Sequence, residues 1–433
     1  MSLLNLRRTR VTVLGVVFGA LAACQAPGVQ LGALTNSQSG DSPLSRPSAA
    51  SGESVLFAFD GENGEYPTSG LTLSTAAGGT FYGTTPAGGS KNVGTAYRIT
   101  ARGSHHLLHD FKVGRHSFSP VGALTSLNGE FYGAAAANRR CRAHRAGTCA
   151  GAIFALDRSG QERVVYAFKG GRDGAQPVGA LTVLNGALFG VTEYGGTYGL
   201  GTVFEVAASG AEKVLHSFVK ADGLAPTGTL VSFNGKLYGT TNSGGAYSYG
   251  TVFSITPSGK EIVLHSFSGQ PDGASPGAGL TPLNGTLYGT TISGGGGPGY
   301  YCDVNYGCGT VFSIDRSGHE KVIFKFRNAL GSDPQASLTN VDGVLYGTTV
   351  SGGAHMCTRK RLCGTVFSID TSGNETVVHD FSGPDGAFPY AGLIYSNGKL
   401  YGTTEYGGSG ACSSYYGGCG TIFSVRLSKR GSE

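Results

Sequence analysis

Tryptophan is absent from this 433-residue sequence, methionine occurs only twice, and charged residues make up only 14%. Because hydrophobic residues reach 39% and aromatic residues 10%, the low charge excludes a disordered polyelectrolyte and allows a large core. The net charge of +5 falls to about +2 without three N-terminal arginines, which is too small to indicate nucleic-acid binding. Glycine is abundant, with 75 residues, which is typical of many short strands joined by turns.

The N-terminal apolar run is too short to cross a bilayer. Residues 11–23 follow a segment with three arginines and predict an export signal rather than a transmembrane helix. The sequence LAAC at residues 21–24 resembles the lipobox of bacterial lipoproteins, which implies cleavage before Cys24 and acylation of that cysteine. An ordinary signal peptide followed by a chance cysteine is the alternative. Gln25 favours the outer membrane as the destination.

The region after Cys24 predicts a tether. It lacks periodicity and is rich in serine, glycine, alanine and proline. We therefore expect a signal peptide at 1–23, a flexible tether at 24–52, a folded body at 53–427 and a tail at 428–433. The protein is expected in the cell envelope, attached to the membrane through its lipid anchor only, and monomeric.

One sequence phrase recurs in the folded body. It reads LYGTT, a Gly-Gly pair, GTVF, VLHSF, and then Asp-Gly, proline and Gly-Leu. The aromatic residue of LYGTT falls at Tyr82, Tyr132, Phe189, Tyr238, Tyr288, Tyr346 and Tyr401. Asn-Gly or Asp-Gly pairs follow the first strand segment of a unit and favour type I′ hairpins. Four strand segments per unit, repeated seven times, predict an all-β, seven-bladed β-propeller.

The ends of the repeat region predict a closed ring rather than an open solenoid. The last unit stops after its third strand, at residues 421–427, and an orphan fourth strand stands at residues 55–59. Each strand type occurs seven times only if the N-terminal strand completes the last blade, which removes the free edges of the ring. An open solenoid would have no reason to divide a unit in this way.

The repeat resembles the GloVer tandem repeat of bacterial surface and secreted proteins, over residues 54–427. LYGTT, GTVF and the Asp-Gly-x-x-Pro stretch carry this resemblance, which implies export and a repeat architecture but no assigned activity. The unit length is also similar to that of kelch propellers. The kelch tryptophan has no counterpart here, which argues against a kelch-type function.

Residues repeated among the blades are interpreted as requirements of the fold. Aspartates open the turns between blades at Asp173, Asp222, Asp272 and Asp385. One aspartate per blade does not supply the six to eight oxygens that calcium takes, so turn capping is predicted. Histidines share one strand position at His216, His265 and His379 and are interpreted as structural. No metal site and no cofactor are expected.

Eight cysteines predict four local disulfides, all between the second and third strands of a blade. The predicted pairs are Cys141/Cys149, Cys302/Cys308, Cys357/Cys363 and Cys412/Cys419. The even count, the export signal and the shared placement favour disulfides. Zinc is the rejected alternative, because each loop offers two thiols and structural zinc takes four ligands.

The same loops carry basic and aromatic residues that are not repeated, on the propeller face with the long connections. The candidate binding residues are Arg139, Arg140, Arg142, Arg145, Tyr300, Tyr301, Tyr306, Arg359, Lys360, Arg361, Tyr406, Tyr415 and Tyr416. Arginine pairs with carboxylates and tyrosine stacks on sugar rings, so this face predicts binding of an acidic glycan or a protein. Incidental residues in solvated loops are the alternative.

Glu193 and Glu405 are weak catalytic candidates at equivalent positions of blades 3 and 7. Paired carboxylates can hydrolyse a glycosidic bond when they lie about 5 to 10 Å apart, and opposite rims of the ring are expected to exceed that distance. A polysaccharide-active hydrolase or lyase in the central depression is therefore the second hypothesis. A structural subunit of an envelope assembly is the third.

Overall fold

The computed structural model describes residues 52–74, 79–112, 118–137, 150–296, 307–358, 361–410, 412 and 417–428. These residues form the predicted seven-bladed β-propeller of four-stranded antiparallel blades. Within the described ranges, no helix has the length and apolar character needed to cross a membrane. The one 3-10 turn among them is Gly171–Asp173.

Blades 1 to 6 each take their strands consecutively from the chain. Blade 1 contains β2 (Thr72–Leu73), β3 (Thr80–Thr85), β4 (Thr95–Thr100) and β5 (His105–Asp110). Blade 2 contains β6 (Phe118–Leu127), β7 (Glu130–Ala137), β8 (Ala152–Leu156) and β9 (Glu162–Ala167). Blade 3 contains β10 (Ala175–Leu184), β11 (Ala187–Tyr194), β12 (Thr202–Val206) and β13 (Glu212–Ser217).

In blade 4 the first strand has two pieces, and in blade 6 a small hairpin interrupts the long loop. Blade 4 contains β14 (Leu224–Pro226), β15 (Val231–Phe233), β16 (Lys236–Ser243), β17 (Thr251–Ile255) and β18 (Glu261–Ser266). Blade 5 contains β19 (Thr281–Leu283), β20 (Thr286–Thr291), β21 (Thr310–Ile314) and β22 (Glu320–Lys325). Blade 6 contains β23 (Thr339–Val341), β24 (Val344–Thr349), the hairpin β25 (Met356–Thr358) and β26 (Arg361–Leu362), β27 (Thr365–Ile369) and β28 (Glu375–Asp380).

Blade 7 joins the two ends of the folded body and confirms the predicted closure. It contains β29 (Ile394–Ser396), β30 (Lys399–Thr404), β31 (Thr421–Arg426) and, as its fourth strand, β1 (Glu53–Ala58). β1 runs antiparallel to β31, from Glu53 opposite Val425 to Ala58 opposite Thr421. This pairing covers an edge of β31 that would otherwise present unpaired N–H and C=O groups.

The repeated glycine of LYGTT makes room for the aromatic ring of GTVF. In blade 5, Gly289 lies opposite Phe312, whose side chain is fully buried. A Cβ atom on Gly289 would come within 2.6 Å of Phe312 Cζ. Phe267, at the end of the preceding blade, packs edge-on against Phe312 with ring centroids 5.1 Å apart. One repeated glycine and two repeated aromatics therefore join each blade to the next.

The first strands lie innermost, where small residues let the backbones of neighbouring blades approach closely. A Cβ atom on Gly122 would lie only 2.3 Å from the carbonyl oxygen of Gly179. Threonine hydroxyls cross the same boundaries, as where Thr281 donates to the Leu338 carbonyl at 2.6 Å. These contacts hold the innermost strands of neighbouring blades together.

Candidate functional site

We call the end of the propeller that carries the long connections between second and third strands the loop face. The residue before each repeated proline fixes the path of the backbone there. In six blades this residue has a φ between 50° and 58°, at Tyr66, Gln176, Ala225, Ser275, Asp333 and Phe388. Such values are uncommon for residues other than glycine and need support from their surroundings. Support comes from carbonyl groups of the preceding blade. The Phe388 N–H donates to the Cys363 carbonyl at 2.8 Å, and the Tyr66 N–H donates to the Cys419 carbonyl at 2.9 Å.

Disulfides therefore stiffen the loops whose backbone carbonyl groups accept hydrogen bonds from the start of the next blade. The structure contains Cys357–Cys363 and Cys412–Cys419, two of the four predicted pairs, with Cα atoms 5.1 and 5.3 Å apart. Cys308 is also disulfide-bonded. The other predicted cysteines, Cys141, Cys149 and Cys302, lie outside the described residues, as does Cys24.

Side chains from blades 6, 7 and 1 meet beside these two disulfides. We call this group the Arg361 cluster, and it consists of Tyr66, Arg361, Phe388, Tyr390, Glu405 and Tyr406. The Arg361 guanidinium lies 4.6 Å from the centre of the Phe388 ring, a cation–π contact. The Tyr406 ring is 5.9 Å from that of Phe388 and 5.1 Å from that of Tyr66. A cation and four aromatic rings thus share one patch of the loop face.

Glu405 is the most strongly perturbed carboxyl group of the cluster. Its residue is only 8% exposed, and its backbone N–H donates to the Phe388 carbonyl at 3.1 Å. Burial raises the pKa of Glu405 to about 7, although the Arg361 charge and a hydrogen bond from Tyr406 act in the opposite direction. This carboxyl group therefore changes its charge near neutral pH, as groups at functional sites often do.

Two further carboxyl groups border the cluster. Burial raises the pKa of Asp333, and the nearby charge of Arg361 partly offsets that increase. Burial also raises the pKa of Glu65, which accepts a hydrogen bond from Tyr66. Tyr390 in turn makes a side-chain hydrogen bond with Arg361. The cluster and its border consequently combine one arginine with three carboxyl groups whose pKa values are raised by burial.

Blades 3 and 4 present exposed tyrosines on the same face. Tyr198 and Tyr247 occupy equivalent loop positions and are 62% and 61% exposed. Beside them, burial raises the pKa of Glu193, and a hydrogen bond from Tyr194 lowers it. The sequence interpretation missed Tyr198 and Tyr247, although both stand two residues after the repeated Gly-Gly pair.

The structure brings together three of the predicted site residues, namely Arg361, Tyr406 and Glu405. Glu193 lies apart from them, near the end of β11 in blade 3. The remaining predicted binding residues lie outside the described residues: Arg139, Arg140, Arg142, Arg145, Tyr300, Tyr301, Tyr306, Arg359, Lys360, Tyr415 and Tyr416. The sequence gives no separate signal for Tyr66, Phe388 and Tyr390, because they flank repeated prolines and repeated positions are interpreted as requirements of the fold.

A second group of polar side chains lies between blades, on the outer strands. His216, His265 and His379 each contact the aspartate of the following turn, with Nε2 to Oδ2 distances of 3.1, 3.0 and 2.9 Å. A glutamate of the next blade completes each group, as in His216, Asp222 and Glu261. The aspartates cap their turns as predicted, for example by accepting the Val219 N–H at 2.8 Å. Packing of adjacent blades also brings a glutamate of the next blade to each of these three aspartates.

Comparison with known proteins identifies the repeat. A family model described as Gloeobacter/Verrucomicrobia repeat matches residues 143–302 and 299–432. No curated protein matches the sequence.

Solved structures with a similar arrangement include the endosialidase of phage phi92, with 9% identity, a TM-score of 0.48 and coverage of 88% of this chain and 70% of that chain. A structural-genomics protein of unknown function from Bacteroides thetaiotaomicron has 11% identity, a TM-score of 0.45 and coverage of 87% and 75%. A gluconolactonase from Xanthomonas campestris has 12% identity, a TM-score of 0.39 and coverage of 64% and 79%.

Proposed function

Because the chain belongs to the Gloeobacter/Verrucomicrobia repeat family, the repeat that its sequence resembles, we propose that its propeller is an exported binding module. The proposal includes a lipid anchor at Cys24 that holds the protein in the cell envelope, at the outer membrane. Its ligand is a glycan that carries carboxylate groups. The observation that carries the proposal is the Arg361 cluster, which combines a guanidinium with tyrosine rings at the end of a rigid scaffold.

Arg361 supplies the recognition of an acidic substituent. A guanidinium has five N–H donors in a planar fork, and contact with Phe388 and Tyr390 holds this fork in one place. Tyrosine rings supply flat apolar surfaces for sugar rings, and Tyr198 and Tyr247 add two exposed rings elsewhere on the loop face. Loops that are already ordered by disulfides lose little entropy when they bind.

Glu405 makes the proposed binding sensitive to pH. Below a pKa of about 7 its carboxyl group is neutral, so the Arg361 charge is available to an acidic ligand. Above that value the Glu405 carboxylate pairs with Arg361 and repels the ligand. Affinity for an acidic glycan should therefore fall as the pH rises through about 7.

We expect Arg361→Gln to weaken binding of a uronic-acid oligosaccharide by roughly 10- to 100-fold, because charge-assisted hydrogen bonds are lost.

Glu405→Gln should remove most of the pH dependence and raise the affinity at pH 8 by roughly 3- to 10-fold. A glycan array selects the oligosaccharide, and calorimetry at pH 6 and pH 8 measures the affinities.

Arg316→Gln is the matched control for this experiment. Arg316 also stacks on a phenylalanine ring, 5.2 Å from the centre of Phe233, but it lies in a tight turn on the opposite face. The proposal fails if Arg316→Gln weakens binding as much as Arg361→Gln does. Absence of glycan binding, together with a stoichiometric envelope protein that co-purifies with the chain, would favour a structural subunit.

A polysaccharide-active enzyme is the second candidate, and the environment of Glu405 favours it. A buried carboxyl group with a pKa of about 7 suits a general acid, and the hydrogen-bonded Glu65–Tyr66 pair lies beside it. In that case Glu405→Gln should lower turnover at least roughly 100-fold while the glycan still binds. Chromatography of the bound glycan after long incubation checks this, and an intact glycan would contradict the enzyme hypothesis.

A further inference from the structure

At each boundary between blades, one residue from the fourth strand of one blade faces the first residue in the fourth strand of the next blade. At three boundaries a histidine and its turn aspartate meet a glutamate of the following blade. These groups, which we call the junction triads, are His216/Asp222/Glu261, His265/Asp272/Glu320 and His379/Asp385/Glu53. Two neighbouring blades therefore contribute to every triad, since the histidine and aspartate belong to one and the glutamate to the next.

The dimensions of the triads fit a single metal ion. One ligand atom from each side chain lies within 4.8 Å of the other two. Nitrogen and oxygen atoms that bind zinc at about 2.0–2.2 Å lie roughly 3.3–3.6 Å apart when they are adjacent ligands of a tetrahedral site. The three histidine-to-aspartate distances, from 2.9 to 3.1 Å, are hydrogen-bond lengths, so an ion that replaces the bridging proton requires the two atoms to separate by only about 0.3–0.5 Å.

The ligands are held in place before any ion binds. In each triad the second aspartate oxygen, Oδ1, accepts a backbone N–H group, from Val219, Ser268 or Ser382. Each imidazole packs edge-on against the phenylalanine two residues later, with centroids 4.8 or 4.9 Å apart. This second layer of contacts is typical of metal sites, where it fixes the orientation of the ligands.

The glutamates supply an independent observation. Oε1 of Glu53, Glu261 and Glu320 is buried and has no hydrogen-bond partner among the described residues. A buried carboxylate oxygen without a partner is unfavourable, and a cation would satisfy it. Glu212 and Glu375 have the same unpartnered oxygen at junctions that contain Tyr166 and Phe324 instead of histidine. The glutamate is thus a general feature. Among the described residues, three junctions combine it with a histidine and an aspartate, whereas His109 and Glu162 meet as a pair at 3.3 Å.

We propose that the three junction triads bind divalent transition-metal ions, one per triad, with Zn²⁺ as the representative ion. An imidazole nitrogen with two carboxylates suits zinc better than calcium or magnesium, which prefer oxygen ligands only. Solvent completes the coordination, since the histidines remain 16% to 22% exposed. Because the ligands come from two blades, each ion links those blades and stabilises the ring.

Zinc binding to the tag-free, disulfide-intact full chain tests the proposal. Calorimetry with ZnCl₂ and elemental analysis after dialysis should give three ions per chain, and saturation should raise the melting temperature. His265→Tyr should leave two ions, and the combined His216→Tyr, His265→Tyr and His379→Tyr variant should leave none. Tyrosine is chosen because Tyr166 occupies this position naturally and donates to Asp173 at 2.9 Å.

His319→Tyr is the matched control and should retain three ions, because His319 is 85% exposed in a turn, where its ring contacts Asp315 and Ser317. If the triple variant does not fold, Glu53→Gln, Glu261→Gln and Glu320→Gln together provide the same test. The proposal is overturned if the full chain retains no zinc after dialysis, if it binds calcium in place of zinc, or if the folded triple variant still retains three ions.

Discussion

Deletion of residues 53–59 is expected to abolish cooperative folding of the propeller. β1 is the fourth strand of blade 7, and its loss leaves β31 at an open edge. The deletion also removes Phe59, which is fully buried and whose ring centroid lies 5.3 Å from that of Tyr97 in blade 1. Loss of one buried phenylalanine side chain alone costs about 3–5 kcal/mol, against a total stability of about 5–15 kcal/mol for most proteins.

For this comparison the chain without β1 begins at residue 60, and its matched control begins at residue 52 and retains β1. Both chains are produced under oxidising conditions, so that the disulfides form equally. Circular dichroism during heating and size-exclusion chromatography should show one sharp transition and a monomer for the control. The shorter chain should show a broad transition and aggregation through the exposed edge. A melting temperature within a few degrees of the control would contradict closure through β1.

Gly347→Ala should produce a large loss of stability for so small a substitution. Gly347 lies opposite Phe367, and a Cβ atom there would come within 2.5 Å of Phe367 Cζ and 2.8 Å of Leu338 Cδ2. Phe367 is fully buried, so its ring has no free space into which it can move. Overpacking of this kind costs about 1–3 kcal/mol and sometimes more, which urea denaturation measures directly.

Two further variants separate this steric effect from the general cost of replacing glycine. Gly343→Asn changes a turn glycine with a φ of 83° and no atom within 4 Å of the added Cβ, and asparagine tolerates that conformation. It should change stability little. Phe367→Leu combined with Gly347→Ala should recover part of the loss, because leucine leaves room for the methyl group. Equal losses for Gly347→Ala and Gly343→Asn would show that steric contact is not the cause.

Much of the fold was predictable because its determinants are local. Asn234 and Gly235 have φ angles of 50° and 75°, the positive values that an Asn-Gly type I′ turn requires. The division of one blade between the two chain ends follows from counting strands, and β1 occupies the predicted position. The hairpin of β25 and β26 was not predicted, since this short segment carries no repeated motif.

The candidate site was predictable only in part. Arg361 and Tyr406 stood out as departures from the repeat, and the structure places both in one cluster. Tyr66 joins them from more than 290 positions away, at the opposite end of the folded body. Its contribution depends on ring closure, which brings blade 1 beside blade 7.

The sequence by itself determined the repeat, the number of blades, the turns and the closure of the ring, because each of these depends on residues that are close in the chain or that recur in it. Only the tertiary structure decided which residues of different blades meet. The pairing of Glu405 with Arg361 and of His265 with Glu320 arises where two blades pack together. A repeat describes what the blades share, whereas burial and charge at a junction depend on the particular side chains that two neighbours bring to it.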